Sequence, residues 1–169
     1  MALVWQDNEE YVAIIADLLA KPEVQRLAAF VHHKVTNRLA HSIAVSYRSF
    51  LWAKRFNLDA VATARAGLLH DLFYYESYSK NEVGGKGHNY EHPRIALKNA
   101  MALTNLSDKE EDIILKHMCG ATFDIPAYYE SVIVTLMDKY TSICEWGMGI
   151  IRWSKGKLGF SYQVMKTNL

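Results

Sequence analysis

The chain has 169 residues, half of them hydrophobic and 22% charged, the make-up of one ordinary globular domain that can bury a core without cross-links. A net charge of +1 leaves no excess of Lys and Arg to bind a long nucleic acid, although a small phosphorylated substrate needs only a local site. Two cysteines make no disulfide framework, MALVWQDNEE carries no signal of secretion, and no apolar run is long enough to span a bilayer. A cytoplasmic protein without membrane contact is expected.

Helical patterns dominate. Asp7 and Asn8 can cap a first helix to about Ala20, and Pro22 suits the first turn of a second, to about His33. A third helix begins near Asn37, with Ile43, Tyr47, Phe50 and Leu51 at helical spacing. Asp59 caps a fourth, AVATARAGLLHDLFYY, which is apolar and rich in small residues nearly all round, as suits the centre of a bundle. The polar, glycine-rich stretch 76–90 is the longest loop candidate. Pro93 then starts a helix to about Leu103. Ser107 and Glu110 form a capping box for the next, which runs to His117 or Met118 and can end at Gly120. A long apolar helix runs from about Tyr128 to Trp146, and a tail of glycines and aromatics follows. No run alternates at period two. The expected fold is all-α: one domain over 1–169, a bundle of six to eight helices, with residues 147–169 as a C-terminal extension.

The histidines carry the chemistry. His70-Asp71 ends the most buried-looking helix, where an isolated carboxylate would be costly. A metal ion is the natural partner, because a neutral nitrogen and an anionic oxygen then leave the backbone at one point, and the carboxylate can bridge two ions. His41 lies 29 residues earlier on the preceding helix. His92 follows the glycine-rich loop, His117 ends the next helix, and Asp138 sits inside the apolar run VIVTLMDKY. Helix bundles commonly build metal sites from side chains delivered in this way to one interior point.

The order His, His-Asp, His, His, Asp resembles that of the HD-domain superfamily of metal-dependent phosphohydrolases. The local phrases HSIAVSY, ARAGLLHD, EHPRIAL, DIILKHM and VTLMDKY match it as well, over about 27–146. Within that superfamily the chain is most similar to small stand-alone bacterial HD proteins. The resemblance implies that His41, His70, Asp71 and Asp138 form a mononuclear HD site. With His92 and His117 the site would be dinuclear: Asp71 bridges, one metal takes His41, His70 and Asp138, and the other takes His92 and His117. The alternative for this last pair is direct contact with substrate. Mixed N/O ligands suit Fe, Mn, Zn, Co or Ni.

Two such ions would acidify a shared water for attack on phosphorus and neutralise phosphate oxygens. Arg38 and Lys139, beside the first and last ligands, could contact phosphate or serve only in ion pairs. His33 and His88 match positions often held by His in similar proteins. They could line the substrate pocket, act as acid to the leaving group, or simply face solvent. Departures narrow the subgroup. Leu-Phe follows the dipeptide, no Gly-Tyr-Pro element is present, and Met118, Cys119 and Gly120 follow His117 in place of the Thr-Thr-Gly of a His-Thr-Thr-Gly phrase. Cyclic dinucleotide phosphodiesterases and diadenosine polyphosphate hydrolases are therefore disfavoured. The resemblance thus implies hydrolysis of a phosphate ester or anhydride of a small molecule, with a nucleotide as the expected class. The alternatives are a di-iron oxygenase-like HD enzyme and a non-catalytic, metal-containing nucleotide sensor.

Overall fold

The computed structural model describes residues 4–32, 36–75 and 87–166, with side chains as far as Gly147. Seven α-helices carry the described fold: α1 (Glu9–Leu19), α2 (Pro22–Gln25), α3 (Arg38–Arg55), α4 (Ala60–Leu69), α5 (His88–Leu103), α6 (Asp108–Lys116) and α7 (Tyr129–Lys166). Two strands of two residues, β1 (Val31–His32) and β2 (Thr36–Asn37), pair antiparallel just ahead of α3. The architecture is all-α, as expected. No described helix is long and apolar enough to cross a membrane.

Several helix ends follow the chemistry of their caps. The side chains of Asn8, Asn37 and Asp59 accept the backbone N–H of Tyr11, Ala40 and Ala62, which starts α1, α3 and α4. Ser107 and Glu110 form a reciprocal capping box at α6. Gly120, at φ +90°, turns the chain away after α6 in a conformation that favours glycine.

Three expectations are corrected. The second helix does not reach His33: α2 is one turn, a short 3₁₀ turn at Arg26–Ala29 follows, and the chain then extends into β1. The polar stretch to Tyr90 is not all loop, because α5 begins at His88, and Pro93 lies inside the helix instead of starting it. The last helix does not stop at Trp146, since α7 runs unbroken through the expected extension to Lys166. Its glycines are tolerated within a helix, at a cost of about 1 kcal/mol each relative to alanine.

The core sits between α3 and α4. The alanines and glycine of α4 let the two helices approach closely, and a Cβ added at Gly67 would lie 3.0 Å from the Ser46 Cα. A buried relay pins the contact: the Tyr11 hydroxyl donates to Ser46 Oγ at 2.8 Å, and Ser46 donates to the Ala64 carbonyl at 2.6 Å. Tyr11, Ile15, Leu18, Val45, Phe50, Leu68, Leu69, Ile113, Ile114 and Val134 are buried around this seam. The seam places His41 of α3 against the end of α4, where His70 and Asp71 leave the helix.

Candidate metal centre

Five elements deliver the histidines and carboxylates to one buried point. His41 lies in the first turns of α3, His70 and Asp71 follow Leu69 at the end of α4, and His92 lies in the early turns of α5. His117 caps the C-terminus of α6, and Asp138 projects from the middle of α7. Four of the six side chains, those of His41, His70, His92 and His117, are buried almost completely. Asp71 is 6% exposed and the Asp138 side chain 14%, so the carboxylates are the more accessible members of the set.

The two oxygens of Asp71 face different groups. Its Oδ1 lies 3.4 Å from His92 Nε2 and 3.7 Å from His117 Nε2, while its Oδ2 lies 3.8 Å from His70 Nε2. On the latter side, Asp138 Oδ1 is 3.0 Å from His41 Nε2 and 3.8 Å from His70 Nε2. Donor atoms within ion-binding reach of one another therefore form overlapping sets: His41, His70 and Asp71; His70, His117 and Asp138; and Asp71, His92 and His117.

The hydrogen bonds of the rings test whether this donor set fits a metal. His70 Nδ1 lies 2.8 Å from the Gly67 carbonyl, His92 Nδ1 2.8 Å from the His88 carbonyl, and His117 Nδ1 2.8 Å from the Ile114 carbonyl. A carbonyl only accepts, so each Nδ1 carries a proton and each ring turns its Nε2 inward. His70 Nε2 is buried with no hydrogen-bond partner. The Nε2 atoms of His92 and His117 lie 2.8 Å apart, lone pair towards lone pair. Buried nitrogens in that condition call for a cation, and three imidazoles turned inward through Nε2, with two carboxylates, are the donor chemistry of a borderline divalent ion. The residues fit the group.

The electrostatics agree. Burial pushes the His117 imidazole down to about 3, with His92 and His70 adding to it, and burial also lowers His92; both rings are neutral and ready to coordinate. Burial alone would raise the Asp71 carboxyl, but the histidines around it, His70 above all, hold it well below the usual range, and Asp71 and Asp138 in turn raise His70 against the burial that lowers it. Asp138 is likewise held well below its ordinary value, because its contacts with His41 and His70 outweigh burial. For His41, burial acts downward, but hydrogen bonds to Asp138 and Glu145 prevail and raise it to about 10.

The remaining site candidates lie around this centre. Arg38 is fully buried: its guanidinium donates to the carbonyls of Phe73 (2.7 Å) and Tyr75 (3.0 Å) and stacks 3.7 Å from the Phe73 ring centroid. It thus braces the segment that follows His70-Asp71. Exposed Lys139 donates to the Cys119 carbonyl at 2.5 Å, just beyond His117. Neither cation points at the metal donors through these contacts. His88 does adjoin the centre, with its ring stacked 4.4 Å from that of His92 and its Nδ1 3.1 Å from the Tyr75 hydroxyl. His33 lies outside the described residues. Tyr90 of α5 lies under the Arg94 guanidinium, which is 3.5 Å from its ring centroid.

One residue escaped the sequence reading. Glu145, 6% exposed, sits on α7 seven residues beyond Asp138, and its Oε2 lies 3.1 Å from His41 Nδ1. Seven residues are two helical turns, so the spacing puts both carboxylates on one face of a largely apolar helix, and that periodicity was the available signal.

The HD domain model matches residues 38–143, well over half of the chain, and the matched span holds all six donor residues. The chain belongs to the HD-domain family, whose superfamily comprises metal-dependent phosphohydrolases. Comparison with curated proteins and with solved structures gave no match.

Proposed function

We propose that this protein is a phosphohydrolase that uses two divalent transition-metal ions to cleave a phosphate ester or anhydride of a small molecule, with a nucleotide as the expected substrate. The observation that carries this reading is the split of Asp71, whose two oxygens face separate sets of nitrogen donors. That is the posture of a bridging carboxylate. His41, His70 and Asp138 would hold one ion, and His92 and His117 the other. Such ions supply positive charge for phosphoryl oxygens and acidify water near neutral pH.

The chain's own groups do the rest. The Nδ1 contacts to Gly67, His88 and Ile114 fix the ring orientations in advance, so little reorganisation accompanies binding. Arg38 positions the backbone after Asp71, and Lys139 holds the turn after His117; both are assigned positioning roles. A pocket of about 510 Å³ opens between the start of α5 and residues 121–124, with His88 in its wall. Burial lowers the His88 pKa, so it faces substrate as a neutral imidazole able to donate or accept a hydrogen bond. The size suits a nucleotide-scale ligand.

The test is phosphate release by the metal-reconstituted protein from a generic phosphodiester and a panel of nucleotides. Turnover that requires metal is expected. Bound metal with oxygen consumption and no hydrolysis would transfer the site to oxygenase chemistry, and tight nucleotide binding without turnover would make it a sensor.

A further inference from the structure

Glu145 belongs to no part of the donor set, yet it is buried and aimed at it. It approaches His41 Nδ1 at 3.1 Å, while Asp138 approaches the other nitrogen of the same ring at 3.0 Å. One face of α7 thus grips His41 at both edges. The other three histidines are held differently, because each rests its Nδ1 on a neutral backbone carbonyl, of Gly67, His88 or Ile114. Among the described donors, His41 alone is backed by a carboxylate.

That difference has a chemical consequence. A carboxylate accepting the Nδ1–H fixes the tautomer in which Nε2 is the metal donor, orients the ring, and makes it more basic than a carbonyl would. We infer that Glu145 is a positioning residue that makes His41 the strongest nitrogen donor and the His41, His70 and Asp138 position the tighter of the two metal sites. The inference rests on the metal-centre reading above. It adds an order of filling: the α7 side loads first, and the His92 and His117 side second.

The test is stepwise metal titration of the apoprotein by chelator competition, with Zn²⁺ and Mn²⁺ as probes, for the wild type, Glu145→Gln and Glu145→Ala. Thermal melts of the apoproteins run alongside. Gln keeps the shape and can accept the Nδ1–H through its amide oxygen, but it removes the charge. The first binding step is expected to weaken by about 10-fold in Glu145→Gln and by up to about 100-fold in Glu145→Ala, the range measured for such outer partners. The second step and the Glu145→Gln melting temperature should change little, which a merely structural role would not produce. If the Ala variant does not fold, the Gln variant decides. Equal affinities in wild type and Glu145→Gln, or loss shared by both steps, would overturn the role of Glu145 and leave the metal centre standing. A wild type that takes up neither ion would overturn the centre itself.

Discussion

The Nε2 atoms of His92 and His117 face each other across 2.8 Å, and each ring has its Nδ1 tied to a backbone carbonyl. Two neutral imidazoles cannot hydrogen-bond in that arrangement, since both inward nitrogens are acceptors. An ion with bonds of about 2.1 Å to each nitrogen would separate them by about 3.0 Å at a right angle and about 3.4 Å at a tetrahedral one, so the rings need part only slightly to admit it. Replacing His117 with Gln is therefore expected to remove one ion of the pair while sparing the other. Elemental analysis of the reconstituted variant should find about one metal per chain where the wild type holds about two. Full retention of both would assign His117 to substrate contact.

Metal uptake should also depend on pH, with a definite sign. In the apoprotein His41 is held protonated between Asp138 and Glu145, with its pKa raised to about 10. The folded value exceeds the unfolded one, so the stability this pairing adds to the apoprotein is full below the unfolded pKa of about 6.5 and is lost as pH rises through about 10. Coordination at Nε2 must expel that proton, so apparent affinity should strengthen with rising pH, by up to about tenfold per unit for one proton released. Calorimetric titration in buffers of different ionisation enthalpy measures the release directly. Affinity that does not vary between about pH 6 and pH 9 would show that His41 binds without losing a proton.

Arg38 links the start of α3 to the backbone after the His-Asp pair through Phe73 and Tyr75. Arg38→Ala would leave buried carbonyls without this donor, a loss of about 1–3 kcal/mol for each buried group left unsatisfied. A lower melting temperature is expected together with weaker turnover. Arg38→Lys should rescue little, because an ammonium does not reproduce the fork that spans two carbonyls. An unchanged melting temperature with lost activity would instead place Arg38 on substrate.

Gly67 tests the seam that brings α3 to α4. Its missing Cβ would meet the backbone of Ser46 at 3.0 Å, so Gly67→Ala requires α3 and α4 to give by a few tenths of an ångström at their closest contact. Destabilisation of about 1–3 kcal/mol is expected, despite the gain in helix propensity. Because the same residue's carbonyl holds His70 Nδ1, metal affinity should fall with it. Melting curves with and without metal separate the two effects.

Much of this was legible in the sequence, and the reasons are physical. Asn8, Asn37, Asp59 and Ser107 announce helix starts because short side-chain acceptors satisfy exposed N–H groups locally, and each cap is observed. The six candidate ligands were legible because His and Asp in apolar helices need an explanation, and the structure brings the six side chains together. What failed was less local. Pro93 reads as a helix start, yet α5 opens five residues earlier, where His88 and Asn89 give no strong signal. The segment 26–33 has helical composition but is drawn out into the turn and strand that precede Arg38. Arg38 and Lys139 read as phosphate contacts from their charge, and the carbonyls to which they donate are supplied only by the tertiary fold. Glu145 was overlooked because a glutamate near a helix end reads as solvated until the helix is seen against His41.

The central claim is that Asp71 joins two ions, and metal stoichiometry of the wild type beside Asp71→Ala tests it most directly. The wild type should hold about two ions per chain after reconstitution, and the variant should lose metal while keeping its helical circular dichroism. Full metal content in Asp71→Ala would contradict the bridge, and with it the assignment of the two donor sets to one dinuclear centre.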